Sequence, residues 1–440
     1  MNYRITNAKL LLCDENGFYV ENGALTIENG EITAVESGEI TAMESGETAT
    51  PETIDSSRFE TVDAAGRLVM PGLINAHTHA YMTLLRNYAD DVDFGEWLFN
   101  RVMPVEDRLP VESAYWLNLL AFAEMFKSGT TSYVDMHMSK CMSAKAAKAC
   151  HIRAFIGRGL VGTDLFGDGL TRYEEALAEK KEYESGLIRF ILSPHAPYSC
   201  SEKLYRQVTE ESEKLGLLRQ THLSEGAAEV ESILKEHGKT PVEWLYDIGF
   251  LSEKTLLAHC VQMRKNDIEL IAKSGASVVT NPASNAKLGN GFAPISAMDA
   301  AGINICLGTD GTSSNNTLNM FREMGLLSLI HKGLEKDPTA MPAQKVVAAA
   351  TVNGAKALNM KEKIGVIAPG ARADLIFIDL DSPSLFPNNN IVSSLVYSAN
   401  GSEVESVMVD GEFVMKKREL LTIDYERVRY EVNALKNALL

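Results

Sequence analysis

The chain lacks the features that mark membrane, secreted and nucleic-acid-binding proteins. Among its 440 residues no apolar run approaches the roughly 20 that a membrane-spanning helix needs. Residues 1–13 carry no basic stretch followed by an apolar segment and a small-residue cleavage site, so nothing there marks the chain for secretion. Acidic residues outnumber basic ones by 59 to 42, and the formal charge of -17 repels phosphate backbones. We therefore expect a cytoplasmic protein that binds a small molecule, with no nucleic-acid and no membrane partner.

The cysteines also lack any paired spacing. There are six of them, scattered along the chain, and no Cys-x-x-Cys occurs. This pattern is typical of reduced thiols in a cytosolic core and argues against a disulfide framework. It also argues against a metal site built from thiolates, which are usually closely spaced in sequence.

The pattern of apolar residues divides the chain into two kinds of structure. Residues 1–67 and 366–424 alternate apolar and polar positions between turn signals, which predicts one small β-sandwich domain formed by both ends of the chain. Residues 68–365 alternate apolar strands with helical segments, which predicts a catalytic barrel of the (β/α)₈, TIM type. Residues 425–440 predict a closing helix. The expected fold class is α/β. The eight predicted barrel strands are 68–76, 131–136, 153–157, 188–193, 217–223, 255–258, 277–280 and 303–307.

One short segment is duplicated near the start of the chain. Residues 31–38 (EITAVESG) recur almost unchanged as residues 39–46 (EITAMESG). A tandem copy of this length indicates a duplicated hairpin or loop rather than a repeat architecture, which needs units of about 20 residues or more. It lies far in sequence from every candidate functional residue, and the sequence leaves its role open.

Histidines and one aspartate mark the ends of four predicted barrel strands. His77 and His79 stand two residues apart, so the period of a strand sends both side chains to the same face. His222, His259 and Asp310 follow at the ends of the fifth, sixth and eighth strands, on the rim where such barrels build their active sites. Imidazole and carboxylate ligands suit zinc, iron or manganese. The sequence therefore predicts a divalent metal held by His77, His79, His222 and Asp310, with zinc the first choice and Fe²⁺ or Mn²⁺ the alternatives.

A carboxylate stands beside this predicted metal site. Glu225 lies three residues beyond His222, just past the strand end. A divalent ion makes its bound water acidic enough to serve as a nucleophile near neutral pH, and a nearby carboxylate can take up the proton and pass it to the substrate. The ordinary alternative for Glu225 is a solvated carboxylate at the start of the next helix. His259 is either a further ligand or a group that orients the nucleophile, and we favour the second role.

Three motifs resemble signatures of the amidohydrolase superfamily, in its aminohydrolase and chlorohydrolase branch, and the resemblance spans essentially the whole chain. They are residues 71–79 (PGLINAHTH), 281–285 (NPASN) and 308–311 (GTDG). Two-metal members of that superfamily carry a carboxylated lysine on the fourth strand, and the fourth predicted strand here, 188–193, contains no lysine. The resemblance therefore implies one metal ion per subunit.

Within that superfamily the chain looks like the 5-methylthioadenosine/S-adenosylhomocysteine deaminases. The stretches that carry this resemblance are 82–86 (MTLLR), 96–98 (EWL), 104–109 (PVEDRL), 157–160 (GRGL) and 193–198 (SPHAPY). The resemblance implies hydrolytic deamination at C6 of an adenine nucleoside, giving the inosine analogue and ammonia. Glu225 would pass the proton, and His259 with Asp310 would orient the nucleophile. The candidate substrates are S-adenosylhomocysteine, 5-methylthioadenosine, adenosine and 5′-deoxyadenosine.

The same resemblance suggests substrate contacts away from the metal. Glu106 resembles the carboxylate that accepts hydrogen bonds from the ribose hydroxyls. From the sequence alone, a surface ion pair of Glu106 with Arg108 is the alternative. His195, Arg158 and Arg172 resemble neighbouring substrate contacts. Glu225 would also contact the substrate.

Two alternatives stay open at this point. The same scaffold could deaminate guanine or another free base, or dechlorinate a triazine. A non-catalytic metal-binding barrel protein is the alternative of a different class.

We also expect the chain to associate with itself into a homo-oligomer.

Overall fold

The structure is a computed structural model, and it describes residues 2–37, 58–138, 140 and 142–440. The strands of these residues form two sheets, one of nine strands and one of eight. In chain order the strands are β1 (Tyr3–Asp14), β2 (Gly17–Glu28), β3 (Glu31–Ser37), β4 (Glu60–Asp63), β5 (Leu68–Pro71), β6 (Leu73–Thr78), β7 (Thr130–His137), β8 (Arg153–Leu160), β9 (Ile188–Pro194), β10 (Leu218–Leu223), β11 (Thr255–His259), β12 (Ser277–Thr280), β13 (Ile305–Leu307), β14 (Leu375–Ile378), β15 (Val404–Val409), β16 (Glu412–Lys416) and β17 (Glu419–Leu420).

Helices alternate with the barrel strands and cover the outside of the sheet. The α-helices are α1 (Met103–Glu106), α2 (Val111–Lys127), α3 (Ser143–Cys150), α4 (Leu170–Tyr183), α5 (Glu202–Leu215), α6 (Ala227–His237), α7 (Pro241–Asp247), α8 (Lys265–Ser274), α9 (Pro282–Lys287), α10 (Ile295–Ala300), α11 (Met320–Glu335), α12 (Ala343–Ala349), α13 (Val352–Ala357), α14 (Ile391–Tyr397) and α15 (Tyr425–Leu439). A 3₁₀ helix (Ala80–Leu85) and a π-helix (Glu96–Val102) follow β6. Across the described ranges, we find no helix with the length and apolar character that crossing a membrane requires.

The eight parallel strands β6 to β13 form the barrel, in the order in which they occur along the chain. Each strand pairs in parallel with the next. The segment after β13 returns to β6, where the Asp310 backbone N–H donates to the carbonyl of His77 at 3.0 Å and brings the last strand end to the first. The predicted (β/α)₈ architecture is therefore confirmed, and the carboxyl ends of all eight strands meet at one rim.

The two ends of the chain pair in a mixed sheet, as the sequence predicts. The strand order is β17-β16-β15-β14-β5-β1-β2-β3, and β4 pairs with β1. The antiparallel pairing of β14 with β5 joins the C-terminal strands to the N-terminal ones. Residues 31–37, which belong to the first copy of the duplicated segment, form β3 at the edge of this sheet, whereas the second copy, 39–46, lies outside the described residues.

The predicted first barrel strand, 68–76, is wrong in one respect, because the structure divides it between the two sheets. β5 pairs with β14 and β1 in the mixed sheet, whereas β6 pairs with β7 in the barrel. Gly72 lies at the division, and a Cβ there would stand 2.1 Å from the side chain of Thr131. Only glycine allows the chain to pass this close to β7 as it crosses from one sheet to the other.

A buried ion network joins the barrel to the mixed sheet. Arg153, at the start of β8, is 2% exposed. Its Nε and Nη2 atoms donate to the two carboxylate oxygens of Asp374 at 2.6 and 3.0 Å, and Nη2 also donates to Asp410 at 2.8 Å. Arg372 donates to the same oxygen of Asp410 at 2.6 Å. The Asp374 carboxylate therefore depends on one buried guanidinium, whereas Asp410 shares Arg153 with Arg372.

We expect Arg153→Met to lower the free energy of unfolding by about 3–5 kcal/mol, because it leaves the buried carboxylate of Asp374 without its counter-charge. Chemical denaturation followed by circular dichroism measures the change. Arg206→Met is the matched control, since Arg206 forms an ion pair with Glu202 at 2.8 Å that is half exposed, and such pairs contribute about 0–1 kcal/mol. Equal denaturation midpoints for the two variants would contradict a stabilising role for the network.

Candidate active site

The five predicted residues at the strand ends lie together in the barrel rim, and all five are buried. The side-chain atoms of two overlapping groups, His77/His79/His222 and His77/His259/Asp310, lie within 4.8 Å of one another. His259 and Asp310 adopt positive φ angles of 73° and 60°. Such backbone strain in residues other than glycine is typical of functional sites, where the surrounding structure holds it in place.

The atoms that face the centre of this cluster are imidazole Nε2 atoms and one carboxylate oxygen. Asp310 Oδ1 lies 3.2 Å from Nε2 of His79 and 3.7 Å from Nε2 of His77. The Nε2 atoms of His79 and His222 lie 3.3 Å apart. The cluster thus points its donor atoms at a shared space.

The opposite ring nitrogens are held by hydrogen-bond acceptors. A nitrogen that faces a carbonyl oxygen carries the proton, so the proton lies on Nδ1 and the lone pair of Nε2 faces the centre, as in metal-binding histidines. The Nδ1 contacts are His79 to the carbonyl of Met136, His222 to the carbonyl of His195 at 2.8 Å, His259 to Oδ1 of Asn285 at 2.8 Å, and His77 to Oε1 of Gln220 at 3.5 Å.

The carboxylate of Asp310 is oriented in the same way. Its Oδ2 atom accepts hydrogen bonds from the hydroxyls of Ser284 at 2.7 Å and Ser314 at 2.8 Å. Oδ1 is therefore the oxygen that remains for the cluster. Neither serine was predicted from the sequence, although Ser284 stands in the 281–285 motif, which could have indicated its role.

The cluster fits a divalent metal ion. Within the described part of the chain, the buried Nε2 atoms of His77 and His259 have no hydrogen-bond partner, and an unsatisfied buried polar atom is costly unless a ligand engages it. Burial lowers the pKa of His77 to about 3 and also lowers that of His222, so both rings are neutral, as metal binding requires. Burial also opposes protonation of His79, but Asp310 outweighs it and raises the pKa of His79 to about 9. A metal ion that binds Nε2 of His79 therefore displaces the proton that Asp310 stabilises there, and the charge of the ion replaces the charge of that proton.

Glu225 lies at the edge of this cluster, in the turn between β10 and α6. It is 8% exposed, and burial raises the pKa of its carboxyl group. Its Oε2 atom lies 3.8 Å from Nε2 of His259, and its Oε1 atom accepts a hydrogen bond from Nδ2 of Asn290 at 3.1 Å. Glu225 is therefore not the solvated carboxylate that was considered as the alternative, because its side chain is buried against the histidines.

A cavity of about 250 Å³ opens from the cluster to the surface. Its inner end is formed by His79, His222, His259, Asp310 and Glu225. Apolar side chains line its walls, and Glu106, Arg172 and His195 lie along it. An apolar cavity with a few fixed polar groups suits a small organic ligand. The other lining residues are Met82, Phe94, Trp97, Leu98, Phe99, Met103, Asp107, Met138, Val161, Tyr198 and Ser199.

Known proteins share this combination of fold and site. The model of the amidohydrolase family matches residues 68–414 of the chain. The chain belongs to the amidohydrolase family.

Relatives cover most or all of the chain. It is 43% identical over 372 residues to a 5-methylthioadenosine/S-adenosylhomocysteine deaminase of Caldanaerobacter subterraneus, covering 83% of this chain and 85% of that protein. It is 40% identical over 438 residues to the protein of the same name in Thermoanaerobacter pseudethanolicus, covering 98% of each. A crystal structure of an adenosine deaminase from Xanthomonas campestris with bound zinc is 29% identical, with a TM-score of 0.89 over 99% of both chains.

In this amidohydrolase Glu106 is buried in the cavity wall. It is 8% exposed and accepts a hydrogen bond from the hydroxyl of Tyr81, and burial raises the pKa of its carboxyl group. Arg108 donates instead to the carbonyl of Pro104 at 3.0 Å. The structure therefore does not support the surface ion pair considered as the alternative for Glu106.

The two predicted arginines occupy different places. Arg172 lines the cavity, where its Nη1 atom donates to the carbonyls of Met138 at 2.6 Å and Gly159 at 3.1 Å. Arg158 lines an adjoining cavity instead, and its Nε atom donates to Glu175 at 2.9 Å. The structure thus brings Arg172 to the cavity with the histidines and places Arg158 behind that wall.

His195, at the end of β9, faces the same cavity. Its Nδ1 atom lies 2.8 Å from the hydroxyl of Ser199, and burial lowers its pKa to about 3. The ring is therefore neutral and can donate or accept a hydrogen bond, but it cannot supply a positive charge. Ser199, like Asn290 beside Glu225, was not singled out by the sequence, because neither residue stands in a motif with a chemical meaning of its own.

Proposed function

We propose that this amidohydrolase deaminates adenine nucleosides at C6, with S-adenosylhomocysteine, 5-methylthioadenosine, 5′-deoxyadenosine and adenosine as candidate substrates. The observation that carries the proposal is one cavity with a histidine–aspartate cluster and Glu225 at its inner end and a buried carboxylate, Glu106, in its wall. The activity named for the relatives from Caldanaerobacter and Thermoanaerobacter supports the same chemistry.

We propose that His77, His79, His222 and Asp310 hold one divalent ion. The zinc in the Xanthomonas adenosine deaminase favours Zn²⁺, with Fe²⁺ or Mn²⁺ as alternatives. When bound, the ion supplies a Lewis acid that makes water a nucleophile near neutral pH. Each Nδ1–H of the three histidines donates a hydrogen bond, and Oδ2 of Asp310 accepts two, so these contacts orient the four proposed ligands toward one space.

Glu225 moves the proton in this proposal. Its carboxylate takes a proton from the attacking water and delivers it to N1 of the adenine ring as the water oxygen adds to C6. Glu225 then carries the remaining proton of the added water from the C6 hydroxyl to the amino group. The bond between C6 and this nitrogen breaks, ammonia leaves, and the ring is restored as hypoxanthine. His259 faces the same space as Glu225, and together with Asp310 it orients the nucleophile. Burial in the cavity excludes bulk water and keeps these groups in fixed positions.

The remaining polar groups bind the nucleoside. Glu106 accepts hydrogen bonds from the ribose hydroxyls, and Arg172 and His195 contact the substrate along the same cavity. We assign Arg158 to the support of this wall rather than to direct contact, because Glu175 and the carbonyl of His137 hold its guanidinium.

Three further expectations concern the surroundings of the protein. The formal charge of -17 supports a small-molecule ligand rather than a nucleic acid. A cytoplasmic location and self-association into a homo-oligomer stay predictions of the sequence.

A substrate panel tests the proposed function. The zinc-loaded protein is incubated with the four nucleosides, with free adenine and guanine, and with a chlorotriazine, and the change in ultraviolet absorbance and the release of ammonia or chloride are followed. We expect adenine nucleosides to be turned over much faster than free adenine, guanine or the triazine. Faster turnover of guanine or of the triazine would favour the corresponding alternative, and no turnover of any compound by the metal-loaded protein would favour the non-catalytic barrel.

The panel also tests the role of Glu106. We expect Glu106→Ala to lower kcat/KM for nucleosides by about 10–100-fold, mainly through KM, since hydrogen bonds to a charged group contribute about 1.5–3 kcal/mol. Any residual turnover of free adenine, which has no ribose, should not change. Glu112→Ala, at an exposed position on α2, is the control. An equal loss for nucleoside and free base would contradict ribose recognition by Glu106.

A further inference from the structure

The turn that carries Glu225 is itself held by a second carboxylate, that of Glu229. The backbone N–H of Ser224 donates to Oε1 of Glu229 at 2.8 Å, and the N–H of Glu225 donates to Oε2 at 3.0 Å. Both oxygens are therefore engaged by two successive backbone groups. Hydrogen bonds of this kind, to a charged acceptor, are shorter and stronger than neutral ones.

This turn needs such support because its backbone is strained. Ser224 has a φ of 49°, in the left-handed region that residues other than glycine, asparagine and aspartate rarely adopt. Gly226, at the N-cap of α6, offers no side chain that could cap the helix. The turn between β10 and α6 is thus held by the side chain of Glu229, which belongs to the helix, and not by a side chain at the N-cap position.

Glu229 is well placed to act as this support. It stands in the first turn of α6, where the helix dipole favours a negative charge, and it is 6% exposed. Burial raises the pKa of Glu229 to about 7, against the opposing effect of the two N–H donors. The direct hydrogen bonds that fix its carboxylate come from the turn that precedes the helix.

The other side of the turn is fixed as well. The backbone N–H of Gln262 donates to the carbonyl of Ser224 at 2.8 Å, and its side chain donates to the carbonyl of Asn290 at 2.7 Å. Asn290 in turn donates to the carboxylate of Glu225. With the backbone held on both sides, a small shift at the Glu229 end would turn the Glu225 carboxylate away from His259.

We propose that Glu229 is a positioning residue for the deamination: by binding the N–H groups of Ser224 and Glu225, it sets the direction in which the Glu225 carboxylate enters the cavity. This inference rests on the role of Glu225 in the proposed function. Glu229 does not line the cavity of about 250 Å³, but it lines a neighbouring cavity of about 610 Å³ together with Glu225. Because the N–H groups of Ser224 and Glu225 engage both of its carboxylate oxygens, it acts through Glu225 rather than on the substrate.

Glu229→Gln tests this proposal, because the amide keeps the shape of the side chain but places an N–H₂ group against one of the two backbone donors. We expect kcat to fall by ~10–100-fold, the loss that a displacement of about 1 Å can cause, with KM within about twofold of the original and zinc content unchanged. Glu231→Gln, at an exposed position on the same helix, is the matched control and should retain the original kcat.

A double variant separates positioning from a general structural role. If Glu229 acts through Glu225, the effect of Glu229→Gln should largely disappear in a Glu225→Gln background, whereas a structural defect would cost the same factor in both backgrounds. Glu229→Asp, which keeps the charge but shortens the reach, should show a loss of the same kind.

Three results would overturn the proposal. They are a native kcat in Glu229→Gln, an undiminished effect of Glu229→Gln in the Glu225→Gln background, or loss of folding or of zinc in both Glu229→Gln and Glu229→Asp. A wild-type protein that turned over no nucleoside would instead refute the proposed function.

Discussion

Glu225→Gln is expected to lower kcat for adenine nucleosides by about 10³-fold, while the protein keeps its metal ion. The amide cannot accept the proton from the attacking water, and proton transfer by a positioned group contributes about 10²–10⁴-fold to a rate. Because Glu225 does not belong to the four proposed metal ligands, zinc content should not change. Steady-state kinetics with 5-methylthioadenosine and metal analysis of the same preparation measure both quantities.

A control and a contrary outcome sharpen this experiment. Glu236→Gln changes an exposed glutamate near the end of the same helix, α6, and should leave kcat unaffected. A Glu225→Gln variant with near-native kcat would remove Glu225 from the mechanism, and the hydrogen bonds around its turn would then need another explanation.

Removal of the metal should have an effect of similar size. We expect chelation to abolish turnover and added Zn²⁺ to restore it, and we expect Asp310→Asn to weaken zinc retention and to lower kcat/KM by ~10³-fold or more. The physical reason is that asparagine keeps the size of the side chain but removes the negative charge that Oδ1 directs at His77 and His79.

His151→Ala is the control for this second experiment, because His151 lies outside the histidine cluster, at the C-terminal end of α3. It should change neither zinc content nor kcat. Full activity after exhaustive metal removal would contradict the metal-dependent mechanism, as would an Asp310→Asn variant that retained both zinc and turnover.

The barrel could be predicted from the sequence because its signals are local. Each barrel strand was recognised from its own apolar run. The prediction was wrong where a contact distant in sequence decides the structure. The division of 68–76 at Gly72 depends on the side chain of Thr131.

The site shows the same division between local and distant information. His77 and His79 share a face because a strand repeats every two residues, and this rule needs no tertiary information. The hydrogen-bond partners of their Nδ1 atoms could not be predicted from the sequence. These partners, Gln220 and Met136, stand in no motif and lie far from His77 and His79 in sequence. The contact of Glu229 with the turn that carries Glu225 could not be predicted either. An acidic residue is common in the first turn of a helix, so its presence there does not indicate a contact with the preceding turn.

The sequence by itself determined the fold class, the kind of residue that forms the proposed metal site and the strand ends at which these residues stand. These properties depend on strand periodicity and on the chemistry of single side chains. Only the tertiary structure decided which atoms face one another. Closure of the barrel brings His79 and His222, 143 residues apart, to 3.3 Å, and it places Arg172 rather than Arg158 on the cavity wall. Side-chain direction depends on the packing of several elements at once, and no single segment carries that information.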